Sequence, residues 1–247
     1  MDRKAAMEAL EKFLSLDITS SDAVIEIFAA LPGAIAHRDG EKNNFVYVPG
    51  ARADRVLLVA HADTVWDSLY ANGESYKQTL TKGNGVYHGS ASDCGIGADD
   101  RAGCAMLWLL RDTGHSLLIV DGEEVGQIGS KHIRDNYPEI FDELNRHSYM
   151  IQLDRREHMN YKVYDLPVPK DFTDFIEKST AYKCGDRLKS TDIVVLCRDV
   201  SGANLSIGYY DEHTPNERLV FEEWLHTLTV VEELLRPEQK RFPLNKR

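Results

Sequence analysis

Apolar residues recur with the spacing of amphipathic helices near both ends of the chain. Near the N-terminus this spacing predicts a helix over residues 3–14, and a second helix is predicted from Ser20 to Leu31. Near the C-terminus it predicts a helix from about Glu217 to Leu235. One face of that last helix carries six large apolar side chains: Phe221, Trp224, Leu225, Leu228, Val231 and Leu235. We expect these faces to pack into the core.

Short apolar runs between these helices predict β-strands. The predicted strands cover residues 44–48, 55–60, 116–121, 149–154, 192–196 and 204–209. Further helices are predicted at 101–110, 131–136, 139–145 and 171–180. This alternation indicates an α/β fold of three layers, α/β/α, with helices covering a mostly parallel central sheet. The length of 247 residues fits one large domain or a domain with a small insertion, and we predict a single domain over residues 1–247.

A stretch rich in glycine, serine and asparagine, from Asn72 to Gly97, has no convincing periodicity and is interpreted as a long loop. Ser90, Ser92 and Cys94 lie within it. We interpret them as loop residues rather than nucleophiles, because no Gly-x-Ser-x-Gly sequence accompanies them.

Charge and composition exclude several classes of function. The formal net charge of -11 argues against a nucleic-acid partner, because phosphate binding requires a basic face. The N-terminal segment is acidic and the chain has no long apolar run, so we predict neither a signal peptide nor a membrane span. We therefore expect a cytoplasmic protein. The four cysteines form no C-x-x-C pair, which favours reduced thiols.

Polar clusters lie where four predicted strands end, and a fifth cluster opens a predicted helix. They are His61-Ala-Asp63, Glu123-Glu124, Asp154, Asp211-Glu-His213 and Asp99-Asp100. Each alone has an ordinary interpretation as a solvated surface group. Because the carboxyl ends of parallel strands converge, we expect the clusters to meet. Two imidazoles and several carboxylates without a thiolate are typical of a hydrolytic site for zinc, cobalt or manganese.

The residue types also suggest separate roles within such a site. Asp63 follows His61 by two residues on the same side of a strand, so it can accept the second ring N–H of that histidine. Asp99 is our candidate for a bridging ligand, since a shared carboxylate offsets the repulsion between two cations about 3.5–4 Å apart. The adjacent side chains of Glu123 and Glu124 point in different directions, so that one can bind metal while the other accepts a proton from water.

The same residues resemble the ordered motifs of the co-catalytic di-zinc exopeptidases, which include aminopeptidases, tripeptidases, glutamate carboxypeptidase-like enzymes and related deacylases. The motifs are His61-Ala-Asp63, Gly97-Ala-Asp99-Asp100-Arg-Ala-Gly103, Asp121-Gly-Glu123-Glu124-Val-Gly126, Leu153-Asp154 and His213-Thr-Pro-Asn-Glu217. The resemblance extends over about residues 55–220 and implies a zinc exopeptidase fold.

The resemblance implies two divalent metal ions, zinc in the first place, and a role for each site residue. The implied ligands are His61 and Asp154 for one ion, Glu124 and His213 for the other, and Asp99 between them. Glu123 would be the general base, and Asp63 would orient His61. The peptide bond between Asp99 and Asp100 would be unusual, in the cis form. Related enzymes insert a lid or dimerisation domain after the fourth motif, but only 58 residues separate Asp154 from His213, so we expect a compact form without a lid.

We therefore predict a hydrolase that cleaves an amide bond of a small peptide, as an aminopeptidase-like exopeptidase. The first alternative is an amidohydrolase or deacylase of a small N-acyl compound, and the second is a non-catalytic metal-binding or peptide-binding relative. Arg155 and Arg156 can bind a substrate carboxylate, whereas Asp211 or Glu212 can bind a free amine. The sequence does not choose between these two ways of anchoring the substrate, and it leaves a homo-oligomer open.

Overall fold

Helices and strands alternate along the chain in a computed structural model, which describes residues 2–39, 42–69, 79–90, 93–185 and 190–246. The helices are α1 (Arg3–Leu14), α2 (Asp22–Ala29), α3 (Trp66–Leu69), α4 (Ala98–Leu110), α5 (Ile128–Asn136), α6 (Pro138–Leu144), α7 (Lys170–Thr180), α8 (Asp192–Leu196) and α9 (Phe221–Leu235). The strands are β1 (Ile35–His37), β2 (Phe45–Val48), β3 (Leu57–His61), β4 (Leu80–Gly83), β5 (Val86–Gly89), β6 (Ser116–Val120), β7 (Met150–Arg155), β8 (Asn160–Lys162), β9 (Lys183–Cys184), β10 (Gly202–Ser206), β11 (Tyr209–Tyr210) and β12 (Arg218–Val220).

An eight-stranded sheet in the order β1-β2-β6-β3-β7-β10-β8-β9 forms the middle of the fold. Its four central strands, β6, β3, β7 and β10, are parallel to one another. Antiparallel pairing is confined to the outer strands β1, β2 and β8. Helices flank this sheet, so the predicted α/β class with a mostly parallel centre is confirmed.

The central strands are apolar because they are covered on both faces. Every residue of β3 and of β6 is buried. Helix α4 packs against β3 and β7, and Gly103 permits this close approach. A Cβ atom at Gly103 would lie only 2.0 Å from the carbonyl oxygen of Leu153. The first turn of α4 is therefore held beside β3 and β7, the strands that carry His61 and Asp154.

One predicted strand is wrong, and another is right only in part. Residues 192–196 form helix α8, in which Cys197 N donates to the carbonyl oxygen of Ile193 at 2.9 Å. A short apolar run fits a buried helical turn as well as a strand, and the pattern alone does not distinguish them. The predicted strand 204–209 is divided between β10 and β11, which belong to different sheets. Gly208, with a φ of 87°, lies between them.

The interpretation of residues 72–97 as a loop is also wrong in part. Residues 80–89 form the hairpin of β4 and β5, which joins β12 and β11 in an antiparallel four-stranded sheet. Because β12 takes residues 218–220, the last helix begins at Phe221 rather than at Glu217. Residues 72–78 and Ser92 lie outside the described residues. Ser90 follows the hairpin, and Cys94 is buried beside Ile18 and Trp66.

Two further sequence expectations concern thiols and membranes. Among the described residues the four cysteines form no disulfide bond; Cys184 is exposed and the other three are buried. Among the described residues, no helix combines the length and the apolar character needed to cross a bilayer.

His147 is a buried histidine whose contacts suit a neutral ring. Its Nδ1 lies 2.9 Å from the carbonyl oxygen of Leu144, to which it can donate, and its Nε2 lies 2.7 Å from the hydroxyl of Ser116. Burial lowers the pKa of His147 from 6.5 to about 4. Since the folded state disfavours the protonated ring, this stabilisation is complete above pH 6.5 and is lost as the pH falls towards 4.

We expect the free energy of unfolding of the metal-free protein to fall by about 3 kcal/mol between neutral pH and pH 4 on account of this group. His147→Gln should remove that part of the pH dependence, and urea denaturation at a series of pH values measures it. His88→Gln, at an exposed histidine, is the matched control and should follow the wild type. Identical pH profiles for wild type and His147→Gln would show that the ring is not held neutral.

Candidate metal centre

The carboxyl ends of the central strands bring the first group of polar side chains together. His61 is the last residue of β3, Asp154 lies near the end of β7, and Asp99 lies in the first turn of α4. The Nε2 atom of His61 lies 3.2 Å from Oδ1 of Asp99 and 3.3 Å from Oδ1 of Asp154. These three side chains form one half of the cluster.

The second half is built around His213, in the turn between β11 and β12. Its Nε2 atom lies 2.9 Å from Oε1 of Glu124 and 3.2 Å from Oδ2 of Asp99. Glu124 follows β6, next to β3 in the sheet. The two oxygens of Asp99 therefore face different imidazoles, with His61 on one side and His213 on the other.

The spacing of these atoms fits metal coordination. Neighbouring ligand atoms around a tetrahedral zinc ion with bonds of 2.0–2.1 Å are ~3.3 Å apart. The four distances within the cluster, from the two imidazole nitrogens to the carboxylate oxygens, span 2.9–3.3 Å. The donors are imidazole and carboxylate, as in known zinc sites. The five side chains thus have the spacing and the chemistry of metal ligands, and Asp99 lies between the two histidines.

Asp63 connects His61 to the turn that carries Glu123 and Glu124. The Nδ1 atom of His61 lies 3.1 Å from the carbonyl oxygen of Asp63 and 3.3 Å from its Oδ1. The same carboxylate accepts hydrogen bonds from the backbone N–H groups of Glu123 and Glu124, both at 3.1 Å. Asp63 therefore leaves Nε2 of His61 facing the cluster and fixes the start of the Glu123-Glu124 segment.

The peptide bond between Asp99 and Asp100 is cis, as the family resemblance implies. Asp100 is fully buried, and its two oxygens accept hydrogen bonds from the backbone N–H groups of His61 and Gly103, at 3.1 and 3.0 Å. Its carboxylate also lies within 4.8 Å of ligand atoms of His61 and Asp154. Through these two hydrogen bonds Asp100 links α4 to β3.

Glu217 is a buried carboxylate beneath the cluster that sequence reasoning left without a role. It accepts hydrogen bonds from the backbone N–H groups of Gly97, at 2.7 Å, and of Asp99, at 3.0 Å. Burial raises the pKa of Glu217 to about 7. Glu217 lies four residues after His213, within the motif His213-Thr-Pro-Asn-Glu217, and this position was the signal in the sequence that could have indicated its role. Glu217 holds the segment that presents the carboxylate of Asp99.

Replacing Glu217 by glutamine should therefore weaken the metal centre without removing a ligand. The new amide nitrogen would face a backbone donor, which costs about 1–3 kcal/mol of unfolding free energy. We expect metal affinity to fall by about 10- to 100-fold. Denaturation of the metal-free protein and competition with a chelator measure the two effects. Glu222→Gln, at an exposed glutamate paired with Arg3, is the control; unchanged metal affinity in Glu217→Gln would contradict this role.

The side chain of Asp154 is fixed by neighbours that come from other elements. Its Oδ2 accepts hydrogen bonds from Nε2 of Gln152, at 2.9 Å, and from the hydroxyl of Thr191, at 3.1 Å. The hydroxyl of Tyr209 lies 3.4 Å from Oδ1. Two donors on Oδ2 leave Oδ1 directed at His61. None of these partners was identified from the sequence, since only the sheet register and the helix α8 bring them to Asp154.

Burial disfavours the charged form of the carboxylates in and around the cluster. Burial raises the pKa of Glu123 well above its ordinary value, and that of Asp154 to about 6. Asp192, buried behind the cluster, has its pKa raised to about 7 by burial. Hydrogen bonds to Asp99 and Glu124 raise the pKa of His213 to about 10. So many carboxyl groups in a buried region are stabilised by cations placed among them.

A cavity of about 310 Å³ opens beside the cluster. Glu123 lines it together with four members of the cluster, Asp99, Glu124, Asp154 and His213. The remaining lining residues are Arg155, Arg156, Glu157, Lys162, Tyr164, Ser190, Thr191, Tyr209 and Glu212. This volume suits a small substrate.

The four candidate anchoring residues differ in their placement. Arg155, Arg156 and Glu212 line the cavity, and Arg156 forms an ion pair with Glu212 at 3.0 Å. Asp211 is outside the cavity lining and is paired with Arg218. Arg156 and Glu212 thus neutralise each other, which leaves Arg155 as the candidate anchor that has no carboxylate partner among the described residues.

Comparison with solved structures identifies the fold. Aminopeptidase PepT from Bacillus cereus superposes with a TM-score of 0.70 and 13% identity, covering 96% of this chain and 98% of that one. A tripeptidase from Staphylococcus aureus superposes with a TM-score of 0.69 and 13% identity, covering 96% of this chain and 98% of that one. The TET1 peptidase of Pyrococcus horikoshii superposes with a TM-score of 0.63 and 13% identity, covering 93% of this chain and 99% of that one. That peptidase can assemble into a tetrahedron or a large octahedral shell. No protein-family model and no curated sequence matches this chain. The chain thus has the fold of the di-zinc exopeptidases.

Proposed function

We propose that this protein is a metal-dependent hydrolase that cleaves an amide bond of a small peptide. The observation that carries the proposal is the position of Asp99, whose two oxygens face His61 and His213 at 3.2 Å each. His61 and Asp154 would hold one ion, and Glu124 and His213 the other. The peptidases among the structural neighbours support the choice of a peptide substrate. We take zinc as the first candidate metal, with cobalt and manganese as substitutes.

Two divalent ions, when bound, lower the pKa of a water molecule and polarise the carbonyl group of the substrate. The remaining chemistry belongs to the protein. Glu123 lines the cavity beside the ligand Glu124 but makes no ion pair among the described residues. Its carboxylate accepts a proton from the attacking water and returns it to the leaving nitrogen. Asp63 fixes both the ring of His61 and the backbone of Glu123, so it sets the distance between base and ligands.

The competing functions differ in substrate rather than in the metal centre. An aminopeptidase acts on a free N-terminal residue, whereas a deacylase acts on an N-acyl compound, and both need the same ligands and base. A non-catalytic binding protein needs no free carboxylate in the position of Glu123. The assembly of the TET1 peptidase raises self-association as a further proposal, which sedimentation of the purified chain tests.

A substrate panel tests the proposed function. The purified protein is stripped with a chelator, reloaded with zinc, cobalt or manganese, and assayed on aminoacyl amides, dipeptides, tripeptides and N-acyl amino acids. We expect hydrolysis of short peptides that depends on added metal. Metal-dependent hydrolysis of the N-acyl compounds alone would assign the deacylase function instead. No hydrolysis of any member with any metal would overturn the proposal.

A further inference from the structure

Four of the described residues that line the cavity carry a hydroxyl group: Tyr164, Ser190, Thr191 and Tyr209. Thr191 donates its proton to Oδ2 of Asp154 at 3.1 Å. The hydroxyl of Tyr209 lies 3.4 Å from Oδ1 of the same carboxylate. Ser190 is exposed, so its hydroxyl is accessible to solvent. Tyr164 is therefore the hydroxyl to consider as a fixed group for binding a ligand.

The hydroxyl oxygen of Tyr164 acts as an acceptor. Nδ2 of Asn204, a fully buried residue, donates a hydrogen bond to it at 3.1 Å. The orientation of this amide is fixed by the backbone of Asp154, whose N–H donates to Oδ1 of Asn204 at 3.0 Å and whose carbonyl oxygen accepts from Nδ2 at 2.9 Å. A hydroxyl that accepts in this way still has its own proton to donate. No described residue accepts that proton, which leaves it for a molecule in the cavity.

The position of this hydroxyl is fixed by the sheet. Asn204 is paired in register with Gln152 of β7 and with Lys162 of β8. Tyr164 follows β8 by two residues and has a φ of 54°, a left-handed conformation that is rare for a bulky side chain. Nζ of Lys162 lies 5.6 Å from the centre of its ring. Residues held in such conformations are frequent at ligand-binding sites, which fits the place of Tyr164 in the cavity wall.

The hydroxyl of Tyr164 is a donor at neutral pH. Burial raises the pKa of Tyr164 above its ordinary value, and the nearby carboxylate of Asp154 raises it further. The group therefore stays protonated and can donate to an oxygen atom, whereas it cannot bind a protonated amine by losing its proton.

The hydroxyl lies on one side of Asp154, away from the atoms that face the metal centre. Nδ2 of Asn204, to which it is bonded, lies 3.5 Å from Oδ2 of Asp154. The other oxygen, Oδ1, faces His61 at 3.3 Å. Two hydrogen-bond lengths thus connect the hydroxyl to Oδ2, and consecutive Cα atoms of a peptide are ~3.8 Å apart. This placement suits an oxygen of the residue next to the cleaved amide better than the metal-bound carbonyl itself.

We infer that the hydroxyl of Tyr164 donates a hydrogen bond to an oxygen atom of the substrate, on a residue next to the cleaved amide bond. The enzyme then favours substrates with a carbonyl or carboxylate oxygen at that position over substrates that carry an apolar group there. This inference rests on the proposed hydrolytic function and specifies its substrate class.

Paired substrates of similar shape, with and without the acceptor, test the inference on the metal-loaded enzyme. The first pair is alanylalaninamide and its analogue with an isopropyl group in place of the terminal carboxamide. The second pair is the asparagine and leucine amides of that same branched amine, in which the acceptor lies on the other side of the cleaved bond. If the substrate panel assigns the deacylase function, the N-acetyl derivatives of alaninamide and of the branched amine replace the first pair.

We expect Tyr164→Phe to lower kcat/KM by about 10-fold for the acceptor-bearing member of one pair, mainly by raising KM. The other member of that pair should be hydrolysed as by the wild type, and metal content should be retained. Tyr161→Phe is the matched control, because it removes a hydroxyl that donates to Glu177 at 3.0 Å and lies outside the cavity lining. This control should keep wild-type kinetics on every substrate. The affected pair shows on which side of the cleaved bond the acceptor lies.

The results on these pairs separate the inference from the proposed function. An equal loss of kcat/KM on both members of each pair would overturn the inference, because the hydroxyl would then act on Asp154 through Asn204. Unchanged kinetics of Tyr164→Phe on every substrate would also overturn it. Both results leave the hydrolytic function intact. A wild-type enzyme that hydrolyses none of these substrates with metal bound would instead count against the proposed function.

Discussion

Replacing Glu123 by glutamine lowers kcat by about 100- to 10,000-fold, the range expected for the loss of a general base. Glutamine keeps the size of the side chain, and the backbone N–H of residue 123 still donates to Asp63. The proposed ligands are untouched, so bound metal should remain at the wild-type level. Steady-state kinetics on the best substrate of the panel, with metal analysis of the same sample, measure both quantities.

Two controls identify the cause of the loss. Glu139→Gln, at an exposed glutamate of α6, should keep wild-type activity. Glu124→Gln removes a proposed ligand, so it should lose metal as well as activity. Equal metal content and activity close to wild type in Glu123→Gln would mean that another group transfers the proton.

Replacing Asp99 by asparagine should have the largest effect on the metal centre itself. Asparagine offers one neutral oxygen in place of a carboxylate that faces both His61 and His213. Without the shared negative charge, two cations about 3.5–4 Å apart repel each other. We expect the variant to bind at most one ion per chain and to lose hydrolysis down to the background rate. Metal titration followed by activity assay checks both expectations.

The fold of the Asp99→Asn variant should be preserved, because the backbone N–H of residue 99 still donates to Glu217. Circular dichroism and thermal unfolding of the metal-free protein verify this. Asp112→Asn, at an exposed aspartate after α4, is the matched control and should bind metal as the wild type does. Two tightly bound ions in Asp99→Asn would contradict a bridging role.

The middle of the sheet could be predicted from the sequence because its strands are apolar without interruption. The runs at 55–60, 116–121 and 149–154 correspond to β3, β6 and β7. The hairpin of β4 and β5 could not be predicted in the same way. Most of its residues are at least partly exposed, and only Tyr87 is buried. Its strands are defined by pairing with β12 rather than by their own pattern.

The residues of the candidate site could likewise be predicted only in part from the sequence. The residues of the cluster carry unusual chemistry at the ends of strands, so their positions in the sequence point to one edge of the sheet. Gln152 and Lys162 are ordinary polar residues until the register places them in one row with Asn204. Thr191 reaches Asp154 only because the following residues form a helix, where a strand was predicted. Such partners depend on tertiary structure and leave no local signal.

Metal titration of the metal-free protein, with hydrolysis of a short peptide recorded at each step, tests the central claim most directly. We predict that zinc binds with a stoichiometry of two ions per chain and that activity rises with occupancy of the site. The claim would be contradicted by full activity in the metal-free protein, or by the absence of binding when zinc, cobalt and manganese are each added in excess.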